Sequence, residues 1–399
     1  MIAEQLALDG GIPVRETRLP FHRPRIEEDE IAEVVDTLRG GWLTTGPRTK
    51  RFEREFAEYV GAQHAVAVNS ATAAMHLALD AIGLQPGDEV IIPAYTFTAT
   101  GEVVLYFGAR PVIVDVDAAT LNIAPAAVEA AITDKTRAVI CVDLAGTPCD
   151  YDALRAICIR HNLILISDAA HALPARYKGQ LVGTLADLTA FSFYVTKPLA
   201  TGEGGMLVTD NLAWAERAQM MSLHGMSHDA WKRHTAEGSW YYEVVAPGYK
   251  YNLTDVAAAL GLRQLTKQDR FRSERAAIAT HYTAAFSEIP EVEAPTVPDD
   301  VETAWHLYLL RLNLEQLTVD RARVIEALGA EGIGTSVHFI PLHLHPAYKD
   351  RYGYTPDSFP VAYREYRRAI SLPIFPGMTQ DDVSDVVAAV AKVVGHYRR

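Results

Sequence analysis

The stretch Phe191-Ser-Phe-Tyr-Val-Thr-Lys197-Pro-Leu-Ala-Thr-Gly-Glu-Gly-Gly205 decides how this chain is read. It begins inside an apolar run, 188–193, that has the residue types of a buried strand, and a lysine follows that run closely. Gly202, Glu203, Gly204 and Gly205 come next, a turn where backbone can lie close against a ligand. An amine in such a place can form a Schiff base if its surroundings lower its pKa. A lysine taken at random is far more often a solvated surface residue, so the assignment depends on what else converges on it.

Three other segments converge. The run 163–167 leads into Ser167-Asp168-Ala-Ala-His171, which sets a carboxylate at the carboxyl end of a buried strand. That is where open α/β sheets bind their ligands. Pyridoxal phosphate needs such a carboxylate to keep its pyridine nitrogen protonated, although Asp168 alone reads equally well as a helix N-cap. In Asn69-Ser-Ala-Thr72-Ala-Ala-Met-His-Leu-Ala-Leu79 a strand turns into a helix through small polar residues. The free N–H groups of that helix start suit a phosphate ester. Pro93-Ala-Tyr-Thr-Phe97-Thr brings aromatics to a further strand end, and Phe97 is placed to stack on a planar ring.

Candidate strands fall at 65–68, 88–92, 111–115, 137–142, 163–167, 188–193 and 205–208, alternating with helical patterns near 71–81, 97–107, 124–132 and 151–161. This rhythm predicts an α/β fold with a large, mostly parallel, seven-stranded sheet over residues 20–265. An amphipathic helix through Ile31, Val34, Val35 and Leu38 precedes it, stopped by Gly40-Gly41. Past residue 265 the rhythm changes to a polar helix near 266–288, a Pro-rich loop at 290–298, a strand from Trp305 to Leu312 and helices near 319–330, 361–367 and 380–395. Residues 266–399 therefore read as a smaller α+β domain. The 37 basic and 50 acidic residues leave a charge of −13, which argues against nucleic-acid binding. Three cysteines, no paired metal-ligand spacing and no membrane-length apolar run point to a cytoplasmic protein that needs neither disulfides nor a membrane.

Taken in order, Gly41-Trp-Leu-Thr-Thr45-Gly-Pro47, Ser70-Ala-Thr72, Asp168-Ala-Ala-His171, Ser192-Phe-Tyr-Val-Thr-Lys197, Gly202-Glu-Gly-Gly205, His224-Gly225, Gly248-Tyr-Lys-Tyr-Asn-Leu-Thr-Asp255 and Val337-His-Phe-Ile-Pro-Leu-His343 resemble the sugar aminotransferases of the DegT/DnrJ/EryC1/StrS family. These are fold-type-I pyridoxal-phosphate (PLP) transferases, and the resemblance runs from about Pro20 to the C-terminus. It implies that Lys197 carries the cofactor and moves the proton, that Asp168 pairs with the pyridine nitrogen, and that His171 touches the ring or its hydroxyl. Ala71, Thr72 and Ser192 would bind the phosphate, and Phe97 would stack on the ring. Thr45, Lys250, His338 and His343 would contact substrate. Lys250 and Asn252 would reach the cofactor of a neighbour in a homodimer with shared sites. The implied partners are L-glutamate and a nucleotide-linked keto-sugar, with pyridoxamine phosphate as the intermediate form.

Two positions depart from the common pattern. Lys250 and Asn252 stand where many members have Asn and Arg, a version that resembles a branch acting on UDP-linked 4-keto sugars; TDP- or GDP-sugars and C3 amination stay open. Asp143 stands where many members have His, with no role assigned to it. A PLP-dependent sugar dehydratase on the same fold is the nearest rival; in the branch resembling that activity a histidine replaces the lysine, so Lys197 favours amino transfer. A non-enzymatic regulator would call for a recognition helix, and no such pattern is visible. His338, His343 and His345 cluster in sequence, but Pro341 breaks any helical spacing among them, and no metal is expected.

Overall fold

The computed structural model describes residues 5–226 and 242–399. Helix α1 (Glu28–Gly40) opens with a capping box between Glu27 and Glu30 and stops at Gly41 in the left-handed conformation. Helix α2 (Pro47–Val60) follows, a helix absent from the sequence reading. Its buried stripe of Phe52, Phe56 and Val60 is interrupted by Lys50, Arg51 and Arg54, which hides the helical period.

Strand β1 (His64–Val68), helix α3 (Ala71–Ala81), β2 (Glu89–Pro93), α4 (Ala99–Leu105), β3 (Arg110–Val114), α5 (Pro125–Ala130), β4 (Thr136–Val142), α6 (Tyr151–His161) and β5 (Ile164–Asp168) come next. A small hairpin, β6 (Arg176–Tyr177) and β7 (Gln180–Leu181), precedes β8 (Leu188–Ser192), β9 (Gly205–Thr209), α7 (Leu212–Met221) and α8 (Asp255–Leu265). The seven predicted runs form one sheet, ordered β1-β9-β8-β5-β4-β2-β3. Five neighbours are parallel in series, while β9 runs antiparallel to both β1 and β8. Apolar clusters cover both faces, which explains why the central strands read as continuous apolar runs without alternation.

A third apolar cluster is built on helix α9 (Gln268–Phe286) and a three-stranded sheet of β10 (Val292–Glu293), β12 (Tyr308–Leu312) and β13 (Ala369–Leu372). Helices α10 (Arg321–Ala330) and α13 (Gln380–His396) complete it, with α11 (Pro346–Tyr352) and α12 (Pro360–Arg368) between them in the chain. Contacts cross between the regions. Leu6 and Leu19, from before residue 20, lie in this third cluster, and β11 (Val301–Glu302) pairs with β6. Among the described residues no helix is long and apolar enough to cross a membrane.

Because β9 is antiparallel, its first residue lies at the same edge of the sheet as the carboxyl ends of β1 and β8. A Cβ on Gly205 would sit 2.5 Å from the Ser70 carbonyl carbon and 2.8 Å from the Ala71 nitrogen. Both are backbone atoms, so the residue must stay a glycine for α3 to start here. Gly205→Ala is expected to destabilise the fold by about 1–3 kcal/mol, the usual cost of overpacking, and to loosen the start of α3. Urea unfolding checks this; a midpoint equal to that of the unmodified chain would refute it.

Candidate active site

At the shared edge of the sheet, a cavity of about 340 Å³ opens among the strand ends. That lies within the roughly 300–1,000 Å³ range of small-molecule sites. Its walls bring together Ala71, Thr72, Phe97, Asp168, His171, Ser192, Lys197 and His338, all singled out from the sequence. Thr45, Lys250, Asn252 and His343 are not part of that lining.

Lys197 sits in a loop fastened at its base. Phe193 donates to the Gly204 carbonyl at 2.8 Å, Thr201 to the Phe193 carbonyl at 2.9 Å, and Lys197 itself to the Tyr194 carbonyl at 2.8 Å. These bonds hold the lysine backbone still while its amine makes no hydrogen bond or ion pair among the described residues. Burial lowers the amine to about 8, against a weaker upward pull from Asp168. The residue is half-buried and lines the cavity.

Asp168, the last residue of β5, is buried. Its Oδ2 accepts from the Thr100 hydroxyl at 2.9 Å and its Oδ1 from the Ala170 N–H at 3.2 Å. Thr100 is itself within 2.8 Å of Thr96 Oγ1, so a short hydroxyl chain orients the carboxylate. Burial pushes the carboxyl up and those bonds pull it down, as does the charge of Lys197. A cationic ring nitrogen beside it would favour the ionised form further.

His171 accepts the Ala145 N–H on Nδ1 at 3.2 Å, which leaves Nε2 as its protonated nitrogen when neutral. Its ring stacks on Phe339 at 5.7 Å and lies 4.4 Å from His306. Burial holds both histidines well below their ordinary range, with Lys197 adding to the effect, and His338 is lowered to about 4 for the same two reasons. Three neutral imidazoles therefore surround the amine. His338 is fixed by Ser371 Oγ, 2.8 Å from its Nδ1, and by stacking on Phe21.

The start of α3 is capped by Ser70, whose Oγ accepts the Ala73 N–H at 3.1 Å, and Ala71 and Thr72 face the cavity. Phe97 is 57% exposed, unusual for its residue type, because its ring is presented to the cavity beside Phe339. Ser192 and Glu203 close the rim. A buried carboxylate for a ring nitrogen, an unpaired amine, an aromatic face and a helix start for a phosphate make the residues present a fit for pyridoxal phosphate.

Thr45, Lys250 and Asn252 form a separate group. Asn252 Oδ1 accepts from the Lys250 amine, and its Nδ2 donates to Thr45 Oγ1 at 2.7 Å. The segment lies along the end of β1, where Asn69 donates to the Tyr251 carbonyl at 2.7 Å. His343 is fully buried edge-on against Phe359, at 5.0 Å between ring centroids, because the turn carrying it docks into apolar packing. The expectation that it contacts substrate finds no support in this position. His345 reaches only the Ile340 carbonyl, at 3.2 Å.

Thr100, His306 and Phe339 were missed from the sequence. His306 stands at the entrance to an apolar strand and reads there as core; Thr100, three residues past Phe97, was the one with a usable signal. Asp143, also unassigned, is fully buried, and its carboxylate accepts from the Cys149 N–H at 2.9 Å, the Tyr151 hydroxyl at 2.7 Å and Ser167 Oγ at 3.0 Å. Burial still pushes it up to about 6. The turn after it feeds the site, since Ala145 bonds His171 through its N–H and receives the Leu307 N–H on its carbonyl at 3.2 Å.

Fold and cavity together define a class, the pyridoxal-phosphate enzymes of fold type I. The chain belongs to the DegT/DnrJ/EryC1/StrS aminotransferase family, whose sequence model matches residues 24–391. It is 50% identical to the spore coat polysaccharide biosynthesis protein SpsC of Bacillus subtilis, over 94% of this chain and 97% of that one. It is also 50% identical to the uncharacterized protein MJ1066 of Methanocaldococcus jannaschii, over 96% of this chain and all of the other. Among solved structures it is similar to Spr1654 of Streptococcus pneumoniae, a candidate sugar aminotransferase, in its PLP-form: TM-score 0.89, 37% identity, covering 96% of this chain and 100% of that one. The same protein in its PMP-form gives 0.89 and 36%, over 95% and 98%. The cofactor is accordingly pyridoxal 5′-phosphate, and the chain is an aminotransferase.

Two outcomes are expected. Cofactor-free protein should capture PLP at a rate that rises as pH passes through about 8 and levels off above it, because only the neutral amine condenses. A rise continuing to the ordinary lysine value, roughly 10.4, would show that the amine is not desolvated. Asp143→Ala would leave the Tyr151 and Ser167 hydroxyls without their shared acceptor, at about 1–3 kcal/mol of stability; thermal unfolding reads the loss.

Proposed function

We propose that this protein transfers the amino group of L-glutamate to a nucleotide-linked keto-sugar, a UDP-linked 4-keto sugar in particular, giving a 4-amino sugar in the cytoplasm. The observation that carries the reading is the meeting of the Lys197 amine, the Asp168 carboxylate and the start of α3 in one cavity. The segment Gly248–Asp255, with Lys250 and Asn252, supports the UDP-4-keto choice by its resemblance, and the likeness to a polysaccharide biosynthesis protein supports a sugar substrate.

When bound, PLP supplies the electron sink that makes the bond to the α-hydrogen of the amino donor labile. The protein's own groups do the rest. Lys197 Nζ holds the cofactor at rest, and when released takes and returns the proton at the reacting carbon. Its lowered pKa places it near neutrality, where an amine can do both. Asp168 holds the ring nitrogen charged, oriented by Thr100 and Ala170. Neutral His171, His306 and His338 add no positive charge beside Nζ. The N–H groups of Ala71 and Thr72, with Ser192, would hold the phosphate, Phe97 would stack on the ring, and His338 would meet substrate, all of them lining the one cavity.

Thr45, Lys250 and Asn252 lie outside the cavity of their own chain while bonded into a preformed polar group. That placement supports a homodimer in which they complete the neighbour's site. The test combines spectroscopy and product mass. Holoenzyme should show a visible band that L-glutamate bleaches, and the PMP-form should aminate a UDP-4-keto sugar faster than TDP- or GDP-linked or 3-keto analogues. Lys197→Ala should lose the band and slow turnover by at least about 10²-fold, the scale of a positioned general base. Turnover by that variant at the unmodified rate would overturn the role of Lys197; loss of oxygen from the sugar without gain of nitrogen would overturn amino transfer.

A further inference from the structure

Beside the cofactor cavity, and sharing Thr196, Lys197 and His306 with it, lies a second, smaller chamber of about 20 Å³ that is also lined by His22, Gln264 and Arg275, among others. That is room for one water and little more. Two of its lining side chains carry buried polar atoms with no hydrogen-bond partner among the described residues, His22 Nε2 and Arg275 Nη2. Neither residue had a part in the sequence reading. Arg275, 2% exposed on α9, spends its Nε on the Ala304 carbonyl at 2.9 Å and makes no ion pair with a carboxylate among the described residues. His22 comes from the segment ahead of α1 and is half-buried beside the loop that carries the lysine.

The chemistry of the two atoms selects the occupant. His22 is neutral, its pKa lowered to about 4 by burial, with smaller contributions from Arg275 and Lys197. A neutral imidazole nitrogen donates or accepts according to its tautomer, so Nε2 is best answered by a partner that can do either. Arg275 Nη2 offers only N–H and needs an acceptor. A chloride would answer the guanidinium but could serve Nε2 only in the tautomer that protonates it. A water molecule answers both.

We propose that this chamber is a site for one ordered water, held by His22 and Arg275, which is the hydrogen-bond partner of the Lys197 amine whenever that amine is free of the cofactor. The water donates one hydrogen to His22 Nε2 and accepts from Arg275 Nη2. Toward Lys197 it accepts from the ammonium or donates its second hydrogen to the amine, so the lysine has a partner in either protonation state. His22 is thus a positioning residue, acting on Lys197 through the water. The other titratable groups around the amine, His171, His306, His338 and Asp168, reach it from the cofactor side or the flank. The inference rests on Lys197 as the cofactor-bearing lysine.

The test uses the PMP-form of the holoenzyme, in which Lys197 is free. A crystal structure at a resolution that shows ordered water should place a peak within hydrogen-bond distance of both His22 Nε2 and Arg275 Nη2, with no anomalous signal after a bromide soak. His22→Phe should remove the peak. It should also lower the Lys197 titration midpoint, followed by ¹⁵N-lysine NMR, by roughly one unit, because a less hydrated ammonium is harder to keep. His22→Asn, which restores an acceptor, should recover most of the shift. An empty chamber, a bromide signal, or a midpoint unmoved by His22→Phe while the protein stays folded would overturn the proposal. Failure of the parent reading is separately visible, as a cofactor band that survives Lys197→Ala.

Discussion

The structure turns on keeping one amine inside the protein without giving it a carboxylate to bond. A lysine so placed loses hydration and gains no ion pair, and its affinity for a proton falls accordingly. Everything near Lys197 serves that condition. The loop that carries it is tied to itself by backbone bonds, so the side chain is held without side-chain partners. The nearest imidazoles are neutral because they are buried too. Asp168 faces the same cavity but is occupied by Thr100 and Ala170, acting on the amine through its field.

The sheet supplies this geometry because of one reversal. With β9 antiparallel between β1 and β8, the glycine-rich turn after Lys197 returns the chain to the edge from which α3 departs. Lysine loop and anion-binding helix start are then neighbours, and Gly205 is the residue that lets their backbones approach. The lower region contributes from the opposite side: the turn after Asp143 receives the chain leading to His306, and the loop before α11 lays His338 and Phe339 over the cavity.

Much of this was legible because it is local. A strand of apolar β-branched residues, a Ser-Ala-Thr start to a helix and an Asp at a strand end each follow from rules that act within a few residues. All seven strands of the sheet were found at their places for that reason. Helix α2 was not, since charged residues break its stripe, nor were β10, β11 and β13, which are too short to carry a period. His343 shows the other failure. The resemblance implied substrate contact for this histidine, and only the docking of its turn against Phe359 leaves it fully buried.

The sequence by itself determined the alternation of elements, the lysine, its glycine turn and the family to which they belong, because those reside in short-range pattern and in the order of motifs. Tertiary structure alone decided which groups stand without a partner. Burial, the neutrality of three histidines, the hydroxyl pair that orients Asp168 and the chamber shared by His22 and Arg275 all depend on segments far apart in the chain. Desolvation and hydrogen-bond satisfaction are properties of surroundings, and the surroundings of Lys197 are assembled from residues between His22 and Phe339.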